Sequence, residues 1–168
     1  GLFAVDFRKQ LGLSGFENYY VKGNYLKLRK DMDLHQLIYP IPPANGLGLG
    51  VHLNLDTAGE QKFGPDVEEV GAISYSMNDS AKTKMLPSIH KIFRNINESD
   101  LQLGYSGIRP KVKKNGTLIT DFIFNTEVEH GIKNYYEFLH SQVKHLEKLL
   151  QIRKLIIRET IKHIKIPG

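Results

Sequence analysis

Apolar and polar residues alternate through "YYVKGNYLKLR" (residues 19–29), where Val21, Gly23 and Tyr25 are set against Lys22, Asn24 and Lys27. A period of two is the mark of a half-buried strand. The same period returns in "LGVHLNLD" (49–56), with Val51, Leu53 and Leu55 facing one way and His52 and Asn54 the other. Between them the prolines of "LIYPIPP" (37–43) hold the chain extended, because each pushes its predecessor out of the helical region. "GEQKFGP" and "GAISYSM" are expected to supply short strands beyond a turn at Ala58-Gly59. The period lengthens at Met85, Ile89, Ile92 and Phe93, which predicts a helix over 80–93 with a kink or late start at Pro87. Residues 3–12 read as a short helix stopped at Gly12 or Gly15. "GYSGIRPKV" and "TLITDFIF" predict a hairpin about the turn "KKNG", and "NYYEFL" a last strand. The expected class is α+β with mostly antiparallel pairing.

From His140 the pattern changes. "HSQVKHLEKLLQIRKLIIRETIKHIKIPG" holds seven Lys or Arg and two Glu, so the formal charge of +5 sits in this tail, while residues 1–139 balance 16 basic against 16 acidic side chains. With apolar residues at 146, 149, 150, 156, 157, 161 and 164, it predicts a C-terminal amphipathic basic helix or two. Such a stretch can serve as a solvated surface helix, or contact a membrane or nucleic acid. The domain division expected is therefore 1–139 and 140–168. No cysteine is present, which excludes a disulfide framework, a thiolate metal site and a thiol nucleophile.

Candidate chemistry narrows to a few positions. "NGLGLGVHL" (45–53) has glycines spaced G-x-G-x-G and leads into a strand, so it does not match a dinucleotide fingerprint, which needs a wider last gap and a following helix. His52 points away from Val51 and Leu53; if those face the core, it faces a cleft or solvent, where a neutral imidazole can take a proton. A lone strand histidine is nevertheless more often structural than catalytic. The other six histidines show no pair at metal-ligand spacing with a nearby carboxylate, so no metal site is expected. Arg109 is more restricted: Pro110 holds it extended, while Gly107 allows a backbone or flat ligand to approach closely. A guanidinium there matches a carboxylate in bidentate fashion, although local chemistry alone also admits a plain surface arginine.

"KGNYL", "LIYPIPPANGLGLGVHLNLD", "KFGPDVEEV", "LQLGYSGIRPKV" and "DFIF…EHGIKNYYEFL", in this order, resemble FAD-dependent oxidoreductases of the L-2-hydroxyglutarate dehydrogenase and oxidase type, within the D-amino-acid-oxidase-like superfamily. The resemblance runs from residue 1 to about Leu139. It implies a two-domain flavoenzyme whose antiparallel substrate domain covers the flavin of FAD. Residues 1–139 would be most of that substrate domain plus a return segment to the FAD domain. By the same resemblance Arg109 would anchor a substrate carboxylate, Gly107 and Ile108 would lie beside the cofactor, and His52 would be the active-site histidine. Tyr39 and Lys22 would line the same cavity, Lys22 meeting a second carboxylate. The implied reaction is hydride transfer from a small 2-hydroxy acid to flavin, with oxygen, a quinone or an electron-transfer protein open as acceptor.

Two departures accompany the resemblance. The family's N-terminal FAD-binding half is missing, so the chain is expected to be a fragment, inactive by itself. Beyond Leu139 the basic tail replaces the glycine-containing segment that the family carries there, which a frameshift or truncated gene model would explain. The implied location is cytoplasmic or membrane-peripheral, and mitochondrial in a eukaryote. The competing expectation is a stand-alone binding module whose basic tail meets nucleic acid, an anionic membrane or a protein; under the flavoenzyme reading no nucleic-acid partner is expected.

Overall fold

The computed structural model describes residues 1–41, 50–121 and 123–139. They divide into two compact units, Leu2–Ile119 and the segment from Thr120 onward, to which Gly1 also belongs.

The first unit is built on a six-stranded sheet whose pairings are all antiparallel, ordered β2-β3-β1-β5-β6 with β4 also paired to β1. β1 is Glu17–Leu28, β2 His52–Leu55, β3 Gln61–Gly64, β4 Glu68–Val70, β5 Leu101–Lys114 and β6 Thr117–Leu118. β3 and β4 follow one another along the same edge of β1. Asp66 bridges the break between them: its carboxylate accepts from the Asn24 backbone N–H at 2.7 Å and from Asn24 Nδ2 at 3.0 Å.

One face of this sheet is apolar. Leu26, Phe63 and Leu53 are successive register partners across β1, β3 and β2, and all three are buried. Leu101 pairs with Leu28 and continues the face. The helix α2, Ser80–Ile89, lays Ala81, Met85 and Ile89 over it, the i, i+4, i+8 stripe of an amphipathic helix. Pro87 lies inside α2 rather than breaking it. In the last turn it forfeits a single intrahelical bond. The turn then runs on through Phe93 N–H to Ile89 C=O at 2.8 Å, which brings the Phe93 ring to 5.5 Å from Phe63.

β1 and β5 do not keep one register. Asn24 pairs with Ser106 but Leu26 pairs with Leu103, so Tyr25 faces two residues of β5, Gly104 and Tyr105. This is a β-bulge, which shifts the parity of the longer strand. Below it Leu101 and Leu103 join the core; above it Gly107 and Arg109 share the opposite face with their partners Gly23 and Val21.

The helix α1, Ala4–Gln10, precedes the sheet. Beyond its C-cap Leu11 the chain turns at Gly12, which has φ 76°, and the buried Arg8 ties down the following loop by donating to the Ser14 carbonyl and lying 4.7 Å over the Phe16 ring.

Several expectations need revision. The hairpin after "GYSGIRPKV" has the expected turn, with Asn115 and Gly116 at φ 50° and 75°, but its return strand β6 is only two residues long. "GAISYSM" forms no strand. It packs as an extended loop on the apolar side of the sheet, where Lys22 Nζ donates to the Ser76 carbonyl and Ser106 Oγ donates to that of Tyr75 at 2.8 Å. The expected glycines Gly46 and Gly48 and the whole tail 140–168 lie outside the described residues.

The second unit pairs β7, Ile123–Asn125, antiparallel with β8, Glu137–Leu139. Between them the short α3, Glu127–His130, starts in a capping box of Thr126 and Glu129 and stops at Gly131 with φ 75°. Of "NYYEFL", only Glu137–Leu139 form the expected strand, and in a sheet separate from the first.

Candidate functional site

The face of the sheet opposite α2 carries a cavity of about 450 Å³ lined chiefly by β1 and β5, with contributions from His52 and the Pro65–Val67 turn. Three cross-strand rows form its floor. Val21 and Arg109 make the first, Gly23 and Gly107 the second, and Tyr25 opposite the bulge the third. The middle row carries no side chain. A Cβ at Gly107 would meet nothing within 4 Å, whereas one at Gly23 would strike Pro65 Cβ at 2.6 Å. Pro65 thus fills the space over Gly23 and leaves that over Gly107 open.

Arg109 is exposed on this face, so its guanidinium is hydrated and accessible. His52 is buried at 5% exposure and lies at the cavity wall, its ring stacked on Tyr39 with centroids 4.2 Å apart at 24°. His52 Nδ1 is 2.8 Å from the Gly50 carbonyl. Since a carbonyl only accepts, Nδ1 carries the hydrogen, and in the neutral ring Nε2 is the basic nitrogen. β2 explains this placement: Leu53 goes into the core, so its neighbour faces the other side.

Tyr25 was not singled out from the sequence, although it stands in "KGNYL". Its ring stacks on Tyr105 with centroids 4.6 Å apart at 17°. Burial raises its phenol pKa, and the neighbouring Tyr105 adds to this while Arg109 opposes it. The phenol therefore stays protonated at neutral pH. Asp66 also lines the cavity, but its carboxylate is engaged by Asn24.

The six residues expected from the sequence are not equivalent. His52, Arg109, Gly107 and Ile108 line the cavity, and Tyr39 meets it through His52. Lys22 borders the cavity by its position on β1, yet its ammonium is bound to the Ser76 carbonyl on the apolar side of the sheet. Strand alternation explains this: Lys22 pairs with Ile108, one residue out of phase with Val21 and Arg109. Its expected part in holding a second carboxylate does not fit this geometry.

No family model matches the chain. Over 127 residues, 68% of the chain, it is 35% identical to the mitochondrial L-2-hydroxyglutarate dehydrogenase of Arabidopsis thaliana, of whose length it spans 26%. Among solved structures it is similar to an L-alpha-glycerophosphate oxidase from Mycoplasma pneumoniae with FAD bound, with a TM-score of 0.59 over 74% of this chain and 32% of that one, at 19% identity. Among the described residues no helix is long and apolar enough to cross a membrane. The resemblance carried by the motifs is thus matched in sequence by an L-2-hydroxyglutarate dehydrogenase and in fold by an FAD-bound oxidase, and the chain spans about a quarter of the length of the first and a third of the second.

Proposed function

We propose that this chain is the substrate-side portion of an FAD-dependent oxidoreductase that converts a 2-hydroxy acid such as L-2-hydroxyglutarate to the 2-oxo acid. The observation that carries the reading is the open space above Gly107 on a cavity face that also carries an exposed arginine and a buried histidine. A substrate lying beneath a flat ring system needs an open floor, and the space above Gly107 offers one. FAD, when bound, supplies the hydride acceptor.

The residues of this chain supply the rest. Arg109 holds the carboxylate next to the reacting carbon through its planar fork. His52, locked by Gly50 and Tyr39, takes the hydroxyl proton at Nε2 as the carbon gives up its hydride. Gly107 and Ile108 border the cofactor, and Tyr39 fixes the histidine ring. The missing FAD-binding half would be provided by further sequence of the protein from which the chain derives. That part of the reading rests on the 26% span of the relative.

The test uses the full gene product loaded with FAD. Anaerobic addition of L-2-hydroxyglutarate should bleach the flavin absorbance; an unchanged spectrum removes the substrate assignment.

A further inference from the structure

Tyr25 forms the third row of the cavity floor, two residues beyond Gly23 on β1, and stacks on Tyr105. A Cβ at Gly64 would come within 2.7 Å of Tyr25 Cδ1, and one at Gly104 within 2.6 Å of the Tyr25 carbonyl oxygen. Two glycines thus leave room for this one residue. The bulge aims Tyr25, since it is the single residue of β1 opposite two of β5. Tyr105 backs the ring from outside the cavity lining, and Lys62 Nζ lies 5.7 Å over Tyr105. Lys62 is in turn fixed by Asp56 and Glu60, with the Glu60 contact at 3.4 Å.

Val21, the register partner of Arg109, and Tyr25 are four residues apart on one strand face, which spans about 13 Å. Between them lies the glycine row, where Pro65 covers Gly23 and the space above Gly107 stays open. A ligand whose carboxylate sits on Arg109 can therefore extend above Gly107 until it reaches the Tyr25 ring.

We propose that the Tyr25–Tyr105 stack is the specificity-determining end wall of the cavity, setting how long a 2-hydroxy acid can extend from Arg109. This rests on the carboxylate reading of Arg109 given above. Tyr25 is the wall and Tyr105 a positioning residue that acts through it. An acid too long for the floor must displace the stacked ring or leave Arg109, and each methylene of misfit costs roughly tenfold or more in kcat/KM.

The experiment measures kcat/KM of the FAD-loaded full gene product for straight-chain 2-hydroxy acids and 2-hydroxy dicarboxylic acids of increasing carbon number. Tyr25→Leu should move the cutoff to longer acids. Tyr105→Ala should blur the cutoff by raising KM for intermediate lengths, and Tyr105→Phe, which keeps the stack, should restore the wild-type profile. Circular dichroism reports whether each variant folds, and Tyr25→Phe keeps the wall testable should Tyr25→Leu unfold, since it must retain the wild-type cutoff. A length profile unchanged in both Tyr25→Leu and Tyr105→Ala overturns the wall while leaving the carboxylate reading in place. Failure of every acid to react in the wild type overturns the carboxylate reading, and the wall with it.

Discussion

Two glycines three residues apart on β5 should respond in opposite ways to the same substitution. A Cβ at Gly104 would lie 2.6 Å from the Tyr25 carbonyl oxygen and 3.3 Å from its carbonyl carbon, both backbone atoms of the neighbouring strand. No rotamer change relieves that contact. An ordinary carbon–oxygen approach of about 3.3 Å requires the strands to part by roughly 0.7 Å. Such overpacking costs about 1–3 kcal/mol, offset by about 0.4–1 kcal/mol from the smaller entropy of the unfolded alanine chain. Gly104→Ala is therefore expected to destabilise by about 0.5–2 kcal/mol, lowering a urea midpoint by roughly 0.3–1 M for a slope near 2 kcal/mol/M. At Gly107 the added methyl meets nothing within 4 Å. There only the entropic term remains, so Gly107→Ala should match wild-type stability or exceed it by up to about 1 kcal/mol. Its methyl would, however, stand in the floor of the cavity. Urea unfolding followed by far-ultraviolet circular dichroism gives the first comparison, and FAD titration followed by flavin fluorescence the second. A Gly104→Ala midpoint equal to wild type would refute the backbone clash. A Gly107→Ala protein that binds FAD and a 2-hydroxy acid as tightly as wild type would refute the open floor as part of the site.

Three further outcomes are expected. Phe63→Ala removes a side chain 1% exposed that sits between Leu26 and Leu53 and touches Phe93, and should cost about 3–5 kcal/mol in urea unfolding; a loss below ~1 kcal/mol would show that the sheet face collapses around the void. Asp56 has its pKa lowered from 3.8 to about 2, first by the Lys62 ammonium and then by the Glu60 backbone N–H. Because the folded value is the lower one, its stabilisation is complete above pH ~4 and is lost as pH falls toward ~2, so Asp56→Asn should flatten that part of an acid-stability curve and leave neutral pH the less stable; an identical acid limb in the variant would contradict this. Arg109→Lys keeps the charge but loses the fork, and should raise KM for a 2-hydroxy acid at least roughly tenfold with no change in melting temperature; an unaltered KM would remove Arg109 as the carboxylate anchor.

The antiparallel sheet was legible because β1 and β2 obey a simple alternation that puts Leu26 and Leu53 on one side and Tyr25 and His52 on the other. β5 does not obey it. Strict alternation over residues 101–109 would set Leu101, Leu103 and Arg109 on one face, yet the leucines enter the core and Arg109 the cavity. The reversal comes from the bulge at Gly104-Tyr105, and a bulge is a property of paired strands that neither strand's own pattern reveals. Lys22 lines the cavity as expected, but its ammonium is directed elsewhere for a related reason. The resemblance implied that it lines the cavity; a side chain one residue out of phase with Val21 and Arg109 turns to the other face, where the Ser76 carbonyl receives it. Tyr25 went unnoticed because its importance lies in what surrounds it, two glycines and a stacked ring brought in from β3 and β5.

The bulge also determines where this fold can change length. β5 holds one residue more than its partner needs, and the surplus lies between Leu103 and Ser106. Loss of Gly104 would leave a regular ladder in which every side chain, Arg109 included, keeps its side of the sheet. Loss of a residue between Ile108 and the turn at Asn115 has no surplus to draw on, and would exchange buried and exposed side chains along the rest of the strand. Homologous chains should therefore vary in length on β5 at that one point and hold their spacing from Gly107 to Pro110 unbroken.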